Sequence, residues 1–240
     1  MKKKLKILIV EDIKYDYIAI NRALDKSELE CKILWVKQSK DAIQLLRSGS
    51  IDIVLIDYKL PDENGLELFK KIKKNKLDVP VVFVAASGNE SIAAEAIKLG
   101  AQDYIVKDPL GRYLEIIPDV IKKALTQWKA EQNRKQVAEE LRKSEERFRA
   151  IFETAKDSIF IKDKTLKYTQ VNPAMEKLFG LPASKLIEMT DDELFGKEAG
   201  AYIRETDYRV LRGEIIEDEH TKPVKGVMKT FHFVKIPMHD

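Results

Sequence analysis

Five short apolar runs punctuate the first half of the chain, at residues 7–10, 33–36, 51–56, 80–86 and 104–106. They are rich in β-branched residues and do not alternate with polar ones, the pattern of strands buried on both faces. Stretches of helical period separate them. Residues 16–24 carry Ile18, Ile20 and Leu24. Ser39 is placed to cap a helix bearing Ala42, Ile43, Leu45 and Leu46, closed by Gly49. Residues 65–72 place Leu66, Leu68, Phe69 and Ile72, and residues 89–99 end at Gly100. A further helix follows the fifth run. Five β-α units in series predict a doubly wound α/β fold, a mostly parallel sheet with helices on both faces. Ligands of such sheets bind outside the carboxyl ends of the strands.

The pattern then changes twice. From Pro118 to Phe152 there is no glycine and no second proline, and Pro118 suits the first turn of a helix. Leu114, Ile117, Ile121, Ala124 and Trp128 keep helical spacing, as do Ala130, Val137, Leu141, Ser144 and Phe148. Arg134 and the polar stretch 131–136 interrupt the stripe. This predicts a long linker helix that pairs with a copy of itself, against the alternative of a solitary charged helix packed only at its ends. Beyond it, residues 158–161 and 168–171 read as short strands and 173–179 as a short helix. Residues 202–211 read as a helix closed by Gly213, and 214–220 and 227–236 as two longer strands around Gly226. That order is α+β with an antiparallel sheet.

Composition narrows the function classes. With 44% hydrophobic residues in 240, the chain can fill a core and is not intrinsically disordered. Its 43 basic and 40 acidic residues nearly cancel, so no bulk field points to nucleic acid. Cys31 is the single cysteine, which excludes an internal disulfide and a cysteine-held zinc, and reads as a reduced, cytoplasmic setting. No apolar run approaches the ~20 residues of a membrane-spanning helix. The basic start at Lys2–Lys4 is followed by only a short apolar run before Glu11 and Asp12, too little for a secretory signal.

Three strand ends carry chemistry. Glu11 and Asp12 follow the first run, Asp57 the third and Lys107 the fifth, so a parallel sheet brings them to one edge. Crowded carboxylates repel and call for a cation, and an all-oxygen set suits Mg²⁺. A lysine ammonium can hold a phosphoryl oxygen as a point charge, and an aspartate can itself be a nucleophile. Phosphoryl transfer then needs mainly positioning and charge neutralisation. Taken singly, each residue is an ordinary solvated loop residue; their shared place at the ends of alternating strands argues otherwise.

KILIVED at 6–12, IVLIDYKLPDENG at 53–65 and DYIVK at 103–107 closely resemble the receiver domain of two-component response regulators, over residues 5 to about 125. The resemblance implies a flavodoxin-like fold and phosphorylation of Asp57 by a histidine kinase or phosphotransfer protein. It implies Mg²⁺ held by Asp12, Asp57 and the backbone carbonyl of Lys59, with Glu11 assisting through water. Lys107 would contact the phosphoryl group, and Gly65 would begin the helix after the loop that carries Pro61. Two departures stand out. The family's switch Ser or Thr falls at Ala85, which has no hydroxyl, and Ser87 lies two residues on. Its usual aromatic partner is Tyr104, so phosphorylation is expected with an altered readout. The family's proline after the lysine is displaced by Asp108 to Pro109, so Lys107–Asp108 is expected to be trans.

The second half resembles a PAS sensor domain, through FRAIFE at 148–153, DSIFIKD at 157–163, YTQVNPA at 168–174, LFG at 178–180 and FHFVKIP at 231–237. Such domains hold haem, flavin or small metabolites. No cysteine is available here for flavin photochemistry, and His220, His232 and His239 sit in or beside the hairpin strands, which disfavours haem. Ile159, Ile161, Met175, Leu178, Phe179 and Leu194 are candidates to line a pocket for an unidentified ligand, or simply to fill the core. The expected organisation is a receiver at 1–124, a linker helix at 125–147 and a PAS domain at 148–240. The family's last strand would come after about Pro237, so a truncated PAS domain from a sensor kinase or multidomain regulator is expected. Expected partners are the phosphodonor and a second copy of the chain through helix and PAS, with neither nucleic acid nor membrane. The competing readings are an interaction scaffold weakly switched because of Ala85, and a dehalogenase-type phosphatase. The latter is disfavoured because Lys59 stands where that family carries a second Asp. No kinase ATP-binding motif or DNA-reading module is evident in these residues.

Overall fold

The computed structural model describes residues 4–86, 90–224 and 226–238, and the chain divides into two compact units, 1–138 and 139–240. In the first unit the apolar runs form five strands: β1 (Leu5–Val10), β2 (Cys31–Val36), β3 (Ile53–Ile56), β4 (Val81–Ala86) and β5 (Asp103–Lys107). All pairings are parallel and the order is β2-β1-β3-β4-β5, the flavodoxin-like arrangement that the sequence implied. Because side chains alternate across a strand, each run feeds two cores. Leu8, Val10, Val54, Ile56 and Phe83 pack with α2 (Ser39–Arg47), α3 (Gly65–Lys74) and α4 (Glu90–Lys98). Ile7, Ile9, Ile53, Leu55, Val82 and Val84 pack with α1 (Lys14–Asp25) and the start of α5 (Tyr113–Thr154).

Local departures have local causes. Ser39 is the first residue of α2 rather than its cap; its hydroxyl donates to Asp62 Oδ2 at 2.6 Å, and Gln38 occupies the cap position without a side-chain bond. The third strand starts at Ile53, two residues later than expected. The helix expected from Pro118 starts five residues earlier, because the Asp108 carboxylate accepts from the Tyr113 N–H at 2.8 Å and supports an earlier first turn. Pro118 is then buried inside α5, where it removes only an early helical hydrogen bond. No peptide bond is cis among the described residues, so Lys107–Asp108 is trans as expected. Ser87, Asn89 and His239 lie outside the described residues.

In the second unit β6 (Phe160–Lys162) pairs antiparallel with β7 (Tyr168–Val171), and β8 (Ile216–Val224) with β9 (Val227–Lys235). Gly226 turns the long hairpin at a positive φ of 77°. Between the hairpins lie α6 (Pro173–Phe179), α7 (Ala183–Leu186), α8 (Asp191–Phe195) and α9 (Lys197–Leu211). Tyr168, Val171, Met175, Phe179, Leu186 and Val224 form the core. The sequence pattern had not resolved α7 or α8, which are too short to show a period, and α9 begins five residues before its expected start. A capping box, Thr190 with Glu193, marks the start of α8. No helix among the described residues is long and apolar enough to cross a membrane.

Candidate functional site

The ends of β1, β3 and β5 converge as the parallel register requires. The Asp57 N–H donates to Val10 O at 2.9 Å and the Glu11 N–H to Val36 O at 3.0 Å, so both residues continue the strand ladders. Trp35 Nε1 donates to Glu11 O at 2.7 Å and anchors that turn from β2. Lys107 Nζ lies 2.7 Å from Asp57 Oδ1, 2.6 Å from Glu11 Oε2 and 2.7 Å from Asp16 Oδ2. The second Asp57 oxygen, Oδ2, accepts the Lys59 N–H at 2.7 Å. A bridge between Lys59 and Asn64 closes this loop, and the Asn64 side chain caps α3 by accepting from Glu67 N. Gly65 has to be small: a Cβ there would stand 2.4 Å from the Asp57 backbone oxygen.

Burial sets the electrostatics. Asp57 is 8% exposed and Glu11 1%. Burial pushes the Glu11 carboxyl up to about 7, although Lys107 pulls it down. Burial also works against the Lys107 ammonium, yet Asp16, Asp57 and Glu11 together hold it well above the ordinary lysine range. One ligand atom each from Glu11, Asp12 and Asp57 lie within 4.8 Å of one another. Three carboxylates, Glu11, Asp16 and Asp57, contact one ammonium and Asp12 lies beside two of them, an excess of negative charge and an all-oxygen donor set that fit a hard divalent cation.

The structure thus brings Glu11, Asp12, Asp57 and Lys107 together. It adds Asp16, which the sequence reading missed; the first turn of α1 carries it to Lys107 Nζ at the same edge. Ala85 is buried near the end of β4 opposite Val106, and its own side chain offers no hydroxyl. Tyr104 stacks on Phe83 with ring centroids 6.3 Å apart, and burial together with Asp57 raises its hydroxyl above the usual range.

Among the pocket candidates of the second unit, Met175 and Phe179 are buried in the core and Leu178 and Leu194 pack against it. Ile159 and Ile161 are only partly buried. The conspicuous interior feature is polar and was not anticipated: Lys162, Asp191, Asp207, Lys222 and Lys235 meet inside this unit. They lie far apart in the sequence, and no spacing marks them as a group.

Comparison with known proteins follows the same division. Residues 7–115 match the response regulator receiver domain and residues 152–240 the PAS fold. The methanogenesis regulatory histidine kinase FilI of Methanothrix harundinacea is 48% identical over 105 residues, 42% of this chain and 12% of FilI. The methanogenesis regulatory protein FilR1 of the same organism is 31% identical over 126 residues, 51% of this chain and 28% of FilR1. The response regulator SaeR of Staphylococcus aureus is 36% identical over 101 residues, 42% of this chain and 43% of SaeR. The aligned parts are therefore less than half of each relative. A parallel sheet of this order with an acid cluster and a lysine at its carboxyl edge, joined to an antiparallel α+β unit, agrees with both matches: the chain carries a response regulator receiver domain followed by a PAS domain, and the receiver's relatives point to two-component signalling.

Proposed function

We propose that the receiver accepts a phosphoryl group on Asp57 from the phosphohistidine of a histidine kinase or phosphotransfer protein. The observation that carries this reading is the contact of Lys107 Nζ with Asp57 Oδ1 at 2.7 Å, inside a cluster of acids. An Asp57 oxygen attacks phosphorus in line; the P–N bond breaks and its electron pair stays on the imidazole. Lys107, already charged, follows the developing charge on a phosphoryl oxygen without needing to gain a proton. Asp12, Asp57 and the Lys59 carbonyl would hold Mg²⁺, with Glu11 assisting through water. When bound, that ion supplies neutralisation of the phosphoryl oxygens. The Lys59 N–H on Asp57 Oδ2 orients the carboxylate.

The receiver (1–124) passes its state through the helix (125–147) to the PAS domain (148–240), in a homodimer formed by helix and PAS. Supporting the pairing, Val137, Leu141, Phe148 and Ile151 of α5 are exposed and follow a 4-3 rhythm with Ser144. The similarity to FilI and FilR1, both named as methanogenesis regulators, supports a regulatory role of this kind. Asp57→Asn should abolish labelling by a small phosphodonor with Mg²⁺; labelling that persists in the variant would overturn the assignment. Ala85 favours a second reading, an interaction scaffold that phosphorylation barely switches. Self-association measured with and without phosphodonor separates the two, since a scaffold associates identically in both.

A further inference from the structure

Inside the PAS unit, charges do not balance. Lys162 is ion-paired to Asp191 and, at 2.7 Å, to Asp207. Lys235 is ion-paired to Asp207 and donates to Thr206 Oγ1 at 2.7 Å. The Tyr168 hydroxyl donates to Asp191 Oδ1 at 2.7 Å. Two aspartates are thus shared by two lysines. A third lysine, Lys222 of β8, is 7% exposed and has no ion pair among the described residues. Its ammonium lies 4.9 Å from the ring centre of Phe195, 5.3 Å from Phe233 and 6.0 Å from Phe231.

Ring faces attract an ammonium but supply no oxygen acceptor to its three N–H donors. A buried charge without a partner is costly, so its persistence in the interior calls for an anion. The surroundings describe that anion. The three phenyl rings beside Nζ offer an apolar wall, unsuited to a strongly hydrated inorganic ion and suited to an aryl or alkyl body. One unmatched positive charge asks for one negative charge.

We infer that Lys222 is the anchor of a site for a small organic monocarboxylate. The carboxylate accepts from Lys222 Nζ, and the apolar body lies against Phe195, Phe231 and Phe233. Burial, followed by the neighbouring Lys235, holds the free Lys222 ammonium down to about 8. The other charged groups acting on it among the described residues are Lys162, Asp191 and Asp207, paired among themselves, with Asp191 also accepting from Tyr168. The inference rests on reading this unit as a ligand-responsive module.

Isothermal titration of the full chain with benzoate, acetate and inorganic phosphate tests it. One benzoate should bind per chain, with acetate and phosphate about tenfold weaker or more. Lys222→Met should lose benzoate about tenfold or more while melting no lower than the parent, since it strands no carboxylate. Titration of the parent in buffers of different ionisation enthalpy gives a second readout that needs no variant. Benzoate should be taken up with a proton near pH 8.5 and with almost none near pH 6.5, because the bound carboxylate recharges Lys222. Absence of benzoate binding, equal binding by Lys222→Met, or no proton uptake near pH 8.5 would each overturn the site. Labelling of the receiver with and without benzoate separates site from relay: Lys222-dependent binding that leaves labelling unchanged upholds the site and removes only the sensor role.

Discussion

At the residue scale, Lys107 is the one cation among the described residues that pairs with Glu11, Asp16 and Asp57. Removing one member of a buried ion pair typically costs about 3–5 kcal/mol, because the partner charges stay behind. Lys107→Met should therefore lower the stability of the receiver to urea by about 3 kcal/mol without divalent ions. Adding Mg²⁺ should narrow the gap, since a cation that binds only the folded cluster stabilises it by mass action. If Mg²⁺ raises the stability of neither parent nor variant, these carboxylates do not form a cation site. The sequence placed Glu11, Asp12, Asp57 and Lys107 at strand ends but passed over Asp16. Nothing in a one-dimensional pattern says that the first turn of α1 leans back over the sheet edge. Lys222 was missed for a related reason: lysine is ordinarily read as solvated, and only the packing of α8 and β9 around β8 buries it.

At the element scale, the approach of α3 to the end of β3 depends on Gly65. Its φ is not the constraint; space is. An added Cβ would meet Asp57 O at 2.4 Å, Ile56 Cγ2 at 2.9 Å and Phe83 Cε1 at 3.2 Å. Gly65→Ala should cost about 1–3 kcal/mol in denaturant titration and slow labelling of Asp57, whose backbone must shift to make room. Wild-type labelling kinetics in that variant would show that the contact is readily relaxed. The helical elements were legible where their apolar period ran for two turns or more, as in α2 and α3. They were illegible where they were four or five residues long, as in α7 and α8. The start of α5 was misplaced because Pro118 is a strong local signal, whereas the Asp108 carboxylate that organises Tyr113 acts through a turn of the backbone.

At the scale of the whole molecule, two units with separate cores should unfold in two steps. Calorimetry should resolve two transitions, one moved by Lys107→Met and the other by substitutions in the PAS core such as Met175→Ala. A single transition that both substitutions move equally would show the units to be energetically one. Leu141→Glu should weaken self-association in sedimentation, because a charge at an exposed apolar position of α5 opposes helix pairing; unchanged association would place the dimer contact elsewhere. By itself the amino-acid sequence determined the parallel α/β class, the position of the acids and lysine at strand ends, and the change of architecture past the linker. These follow from local periodicity and from the rule that a parallel sheet gathers its carboxyl ends. Only the tertiary structure decided that Lys107 is shared by three carboxylates and that Gly65 must stay small. It alone decided that a third lysine is enclosed with three phenyl rings and without an ion pair among the described residues. Those facts depend on side chains far apart in sequence meeting at ångström range, where burial alters the energy of a charge and no periodic pattern records it.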